Sequence, residues 1–302
     1  MTSKIKATFL GTSGAIPTSK RNHTSILLTF QGENILVDCG EGTQRQFRKA
    51  GLNPCKITKI LITHWHGDHV LGIPGLLQTL ALNEYNKELE IYGPKGTKNF
   101  IENMFKTFVF VNKFPIKVIE LSKEGKFFEN DEFYLEFEKM EHNVSCNAYS
   151  FIKKGERRID KRKLKKFGIP ESPLLQKLKE GKDIEFKGKK YLSKDLTFKE
   201  EDKKISIILD TVFNKKIIPF VKNSDLLISE STFSEEIKEQ AKEKNHLTAK
   251  QAGEIAKKSN SKQLILTHIS QRYDKGEEFL LREAQKEFKK TSLVGDLYFV
   301  EI

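Results

Sequence analysis

Three imidazoles and a carboxylate lie within six consecutive residues, His64-Trp65-His66-Gly67-Asp68-His69, and no other stretch restricts the possible fold as much. They follow the apolar run Ile60-Leu61-Ile62, which reads as a buried strand. Packing offers no reason to collect such polar groups behind an apolar strand, because burying them is costly unless they are paired or hold a cation. With a strand period of two, the side chains at 64 and 66 point the same way and can grip one ion. Gly67 permits a sharp turn that redirects Asp68 and His69 toward a second ion. Imidazole and carboxylate together suit zinc, manganese or iron.

The rest of the chain supplies further polar residues at the ends of predicted strands. Phe133 to Met140 alternates as a half-buried strand and runs to His142; Ile205 to Leu209 runs to Asp210, Asp225 to Ser229 to Glu230, and Gln263 to Thr267 to His268. Strand ends are where loop-borne chemistry is displayed. Helices are expected at about Thr43 to Ala50, Pro74 to Asn83, Thr97 to Phe108, Ser234 to Lys244, Thr248 to Lys258 and Glu277 to Lys289, and a hairpin across Gln31-Gly32-Glu33. Strands, an interruption, then strands alternating with helices predict an α/β fold of two sheets packed face to face with helices outside.

The signature matches the His-x-His-x-Asp-His motif of the metallo-β-lactamase superfamily. Three further stretches resemble its ribonuclease Z branch: Phe9-Leu10-Gly11-Thr12-Ser13-Gly14-Ala15-Ile16-Pro17-Thr18 with Arg21-Asn22, Asp38-Cys39-Gly40-Glu41-Gly42-Thr43-Gln44, and Thr267-His268-Ile269-Ser270-Gln271-Arg272-Tyr273. The resemblance runs from end to end and implies the αββα sandwich, a single domain over 1–302, with two Zn2+ per subunit. It implies that His64, His66 and His142 hold one zinc, Asp68, His69 and His268 the other, and that Asp210 bridges them. It gives Asp68 a second role as proton acceptor for the attacking water, and His246 the protonation of the leaving 3′-oxygen, with Glu230 to orient it. His23 stays unassigned and is expected to be solvated, and Trp65 occupies a variable position. Two departures stand out: Leu209 precedes the bridging aspartate where the family has glycine, and Val212 follows Asp210-Thr211 where it has a basic residue, so a phosphate contact from that loop is missing. In the arm, Pro170-Glu171-Ser172-Pro173 also lacks the glycine that the family favours before the second proline.

Two ions about 3.5 to 4 Å apart suit hydrolysis of a phosphate ester, but also of a β-lactam or a thioester. Charge points to the substrate. The net +12 is concentrated: residues 153 to 199 hold 17 Lys and Arg against 7 Asp and Glu, which leaves the remaining 255 residues nearly neutral. A charge confined to one segment is an address for a polyanion. The segment, taken as an inserted flexible arm over 153–200, has few apolar residues and is expected to lack a core of its own. It looks like the exosite of ribonuclease Z, which implies that Lys161, Arg162, Lys163, Lys165 and Lys166, with Arg272 of the last motif, bind precursor tRNA. The family implies a homodimer that cuts after the discriminator base. The alternatives are a small-molecule hydrolase of the same superfamily, a phosphodiesterase or thioesterase, and an RNA-binding protein with a relic metal site.

Composition, 37% hydrophobic and 31% charged, is that of a soluble globular protein, with no apolar run near the roughly 20 residues needed to span a bilayer. A signal-like start is not seen, so the expected location is the cytoplasm. Cys39, Cys55 and Cys146 form no Cys-x-x-Cys pair and indicate no disulfide framework. The Gly11 to Gly14 loop lacks the spacing and lysine of a P-loop, so no nucleotide cofactor is expected; its expected role is to place backbone near the metal site.

Overall fold

The computed structural model describes residues 4–109 and 113–302. Its contacts divide the chain into two units, one of Met1–Phe128, Leu135–Phe151 and Lys204–Ile302, the other of Glu129–Tyr134 and Ile152–Lys203.

The larger unit is built on two sheets of seven strands. In the first, the hairpin Ser25–Phe30 and Glu33–Val37 closes through the two-residue loop Gln31-Gly32, both at positive φ (46° and 89°), a turn whose twist suits a right-handed hairpin. From Glu33–Val37 the sheet continues in parallel through Lys59–Leu61, Leu89–Gly93 and Ile116–Glu120. In the second sheet Lys203–Ile208, Leu226–Glu230, Leu264–Thr267 and Thr291–Leu293 run parallel. The central parallel strands Leu226–Glu230 and Leu264–Thr267 are buried along their whole length, which is why they read as largely apolar runs rather than alternating ones.

The sheets face each other: Phe30 meets Phe151 edge-on at 5.7 Å, and Tyr149 donates to the Ile62 carbonyl at 2.7 Å. Helices cover the two outer faces. Phe47, Leu76, Leu77, Leu80 and Ile101 pack onto the first sheet, and Ala252, Ile255, Ala256, Leu280 and Ala284 onto the second. The layers are therefore helix, sheet, sheet, helix. Because neighbouring strands run parallel, their C-terminal ends deliver Asp38, His64, Asp210, Glu230 and His268 to one edge of the sandwich.

Several elements differ from expectation. The strands Gly125–Glu129 and Thr291–Leu293 were unmarked in the sequence; the first is half-exposed and the second only three residues long, so neither carries a sustained pattern. The predicted helix at 234–244 is a 3-10 turn, Glu235–Ile237, followed by the helix Lys238–Glu243. Among the described residues no helix is long and apolar enough to cross a membrane.

The expectation that the basic segment has no core is not met. In the smaller unit Leu164, Ile169, Leu178, Ile184 and Leu196 are buried together. The short helix Lys161–Lys166 is capped by Asp160, whose carboxylate accepts from the amides of Arg162 and Lys163. It ends at Gly168, φ +64°, with the Ile169 amide bonded to the Leu164 carbonyl and the Gly168 amide to that of Lys165. In this helix ending, Leu164 and Ile169 meet as apolar partners. Glycine here is a cap rather than a break. Five basic side chains surround the Leu164 anchor, all exposed: Lys161, Arg162, Lys163, Lys165 and Lys166.

Candidate metal centre

His64 Nε2, His66 Nδ1, His142 Nε2 and Asp210 Oδ2 converge as one group; Asp68, His69 and His268 form another. In the first, His66 Nδ1 is 3.0 Å from His64 Nε2 and 3.3 Å from His142 Nε2, and Asp210 Oδ2 lies 3.6 and 3.8 Å from the latter two. In the second, Asp68 Oδ2 is 3.3 Å from His69 Nε2 and 3.5 Å from His268 Nε2. The other oxygen of Asp210, Oδ1, is 3.5 Å from His69 Nε2 and 3.1 Å from His268 Nε2. Donors on a tetrahedral ion with bonds of about 2.0–2.1 Å are about 3.3 Å apart, so both groups fit. His69 Nε2, His268 Nε2 and Asp210 Oδ1 are buried and, despite this proximity, none is aligned on another as a hydrogen bond. They aim at common points.

Gly67 acts differently from the expected sharp turn. It has no positive φ; it opens a short helix, Gly67–Val70, with His66 as N-cap, and the helix turns Asp68 and His69 away from His66. Gly14 bears out the place expected for its loop, since a Cβ there would meet the His268 ring at 3.1 Å.

Each ring but that of His66 is held from behind. His64 Nδ1 meets the Thr63 hydroxyl at 3.0 Å, His69 Nδ1 donates to Asp38 Oδ2 at 2.6 Å, His142 Nδ1 to the Asn245 carbonyl at 3.1 Å, and His268 Nδ1 to the Thr232 hydroxyl at 2.8 Å. Such partners fix ring orientation and tautomer, which leaves the opposite nitrogen for a metal. Thr232 in turn donates to Glu230 at 2.5 Å, and Thr63 to Asp38 at 2.7 Å. The sequence marked none of Thr63, Thr232 or Asn245, and placed Asp38 only within a motif.

Electrostatics prepare the donors. Burial, helped by the charge of His69, pushes His64 well below the ordinary histidine range, and burial lowers His142. Both shifts favour the neutral ring, the form that ligates. Burial works against ionisation of Asp68, but the neighbouring His268 and His69 prevail and hold it below the carboxylate range. His246 sits beside the cluster, its Nδ1 3.0 Å from Glu230 Oε2 and 3.9 Å from Asp210 Oδ2. Burial lowers it, yet the charges of Glu230 and Asp210 win and push it up to about 9.

His23 is not the solvated residue expected. It is 6% exposed, and neither ring nitrogen has a partner among the described residues. Its strand bridge to Ser13 draws it against Gly40, where a Cβ would lie 2.4 Å from that of His23. Arg272 lies over the Phe233 ring at 5.3 Å and donates to Gln240 at 3.1 Å, at the rim of a cavity that also holds His246.

Comparison with known proteins agrees with this arrangement. A family model described as Anti-Pycsar protein Apyc1 matches residues 5–153. The metallo-beta-lactamase fold protein YhfI from Bacillus subtilis has a TM-score of 0.72 at 20% identity, covering 99% of this chain and 100% of its own, a likeness of fold. The crystal structure of human tRNase Z, short form, has a TM-score of 0.70 at 28% identity and covers 98% of each chain. Ribonuclease Z of Nanoarchaeum equitans is 39% identical over 292 residues, 97% of this chain and 92% of that one. With the metal-ligating geometry, a relationship of that extent makes the chain a metallo-β-lactamase-fold endoribonuclease, a phosphodiester hydrolase belonging to the ribonuclease Z family.

Proposed function

We propose that this protein uses two zinc ions to remove 3′ trailers from precursor tRNA, cutting after the discriminator base to leave a 3′-hydroxyl on the tRNA and a 5′-phosphate on the trailer. One observation carries the reading: the two oxygens of Asp210 face different donor groups, as a bridging carboxylate requires. His64, His66 and His142 hold one ion and Asp68, His69 and His268 the other. Ions bound there supply charge against the phosphodiester oxygens and lower the pKa of a water toward about 7.

Asp68 takes the proton from the attacking water. His246 donates its Nδ1 proton to Glu230, which fixes the ring and leaves Nε2 to protonate the 3′-oxygen as its bond to phosphorus breaks. Substrate choice rests on the exposed Lys161, Arg162, Lys163, Lys165 and Lys166, with Arg272, against RNA phosphates, and on relatives named ribonuclease Z and tRNase Z. The protein acts in the cytoplasm as a homodimer, in which the arm of one subunit presents RNA to the other.

The experiment is product mapping. Zinc-loaded protein incubated with a 3′-extended tRNA precursor is expected to give one cut after the discriminator, lost on chelation and in Asp210→Ala. Turnover of small esters or thioesters without RNA cleavage overturns the reading in favour of a small-molecule hydrolase.

A further inference from the structure

His246 forms a wall shared by two cavities. One, about 310 Å³, is lined by Ile16, Phe233, Lys244 and Arg272. The other, about 550 Å³, lies between the loop after Asp210 and the helix Lys238–Glu243, and is lined by Glu141, Val212, Phe213, Lys238, Lys242 and His246. Neither the metal centre nor the proton transfers described above use the second cavity, although it begins at their side. Glu141 precedes His142, Val212 lies two residues beyond Asp210, and Asn245, whose carbonyl holds His142, is also among its lining residues.

Its chemistry is mixed in an informative way. Phe213 keeps 38% of its surface exposed in an otherwise polar setting, with Lys258 Nζ 5.7 Å from the ring centroid. The peptide of Val212 is tied down, its amide bonded to the Glu141 carbonyl at 3.0 Å, so the loop presents Phe213 from a fixed backbone. Lys242 is exposed and has no ion-pair partner among the described residues, while Lys238 meets Glu235 only at 3.6 Å. An open aromatic ring beside an exposed ammonium group such as that of Lys242 is a combination that holds single-stranded nucleic acid: the ring stacks a base and the cation meets the backbone. Lys215 and Lys216, further along the loop after Asp210, are not in the lining of the groove, and its cations come from the helix opposite, as Lys238 and Lys242.

We infer that this groove is a nucleotide subsite next to the metal centre, in which Phe213 stacks the unpaired base flanking the scissile phosphate and Lys242 meets the adjoining phosphate. The inference rests on the RNA-cleaving reading above and names residues that hold the strand beside the cut.

The test pairs protein variants with altered RNA. Phe213→Ala should lower kcat/KM on a 3′-extended precursor roughly 5- to 150-fold, the range of one lost stacking contact. On precursors abasic on either side of the scissile phosphate, the same variant should cost nothing further at the position that stacks. Lys242→Ala should reduce the salt dependence of binding by about one phosphate contact, and Phe213→Ala should leave it unchanged. Equal losses by Phe213→Ala on intact and both abasic substrates, or no loss, overturn the subsite while the cleavage reading stands. Binding reads the site independently of turnover. A short single-stranded RNA carrying 2-aminopurine, added to chelator-treated protein, should be quenched by wild type and not by Phe213→Ala; quenching that survives the substitution overturns the inference even if no precursor is cut.

Discussion

Asp38 stands behind the metal cluster, yet it organises it. Its Oδ2 accepts from His69 and from the Thr63 hydroxyl, its Oδ1 from the Thr63 amide at 2.7 Å, and it holds this position with φ at +56°, a conformation that aspartate and asparagine tolerate better than most residues. Asp38→Asn keeps the backbone conformation and weakens the grip on His69, and such outer partners are worth about 10- to 100-fold in metal affinity. Chelator competition should show zinc binding weaker by that factor with the fold intact; unchanged affinity would mean that His69 is oriented by packing alone. The residues that converge at the candidate metal centre were legible because their spacing within 64–69, and their places at the ends of apolar strands, are local facts. Their supports were not, because His69 meets Asp38 across 31 residues and His142 meets a backbone carbonyl 103 residues away, which no side-chain pattern records.

At the scale of elements, parallel strands were easy to read and the basic segment was not. Ile205 to Leu209 is apolar but for Ser206, and Leu264 to Leu266 is an unbroken apolar run, whereas Leu164, Ile169, Leu178, Ile184 and Leu196 are scattered singly among lysines and meet only after two short helices and a hairpin have formed. A core of five main residues has little reserve. Leu178 is fully buried, and Leu178→Ala is expected to cost about 2–5 kcal/mol, enough to unfold so small a unit. Limited proteolysis should then cut within residues 152–203, with the melting transition of the two-sheet unit unshifted; a single common loss of stability would show that the two units unfold together.

For the whole molecule, the informative feature is how the chain enters and leaves the smaller unit. Strand Cys146–Lys153 is the sheet neighbour of Lys203–Ile208, and between them the Gly155 amide bonds to Asp202 at 2.8 Å and the Glu200 amide to the Glu156 carbonyl at 2.9 Å. Replacing residues 155–201 with a short glycine-rich turn should therefore preserve the melting transition and zinc content while lowering cleavage of precursor tRNA at least 100-fold. Retained cleavage would remove RNA binding from the segment. Antiparallel chains of this kind stand about 5 Å apart, which makes the crossing a socket. A lineage, or a designer, could plug in any compact module whose two ends lie that close, and so redirect the same hydrolytic edge toward another polymer without rewriting a single coordinating side chain.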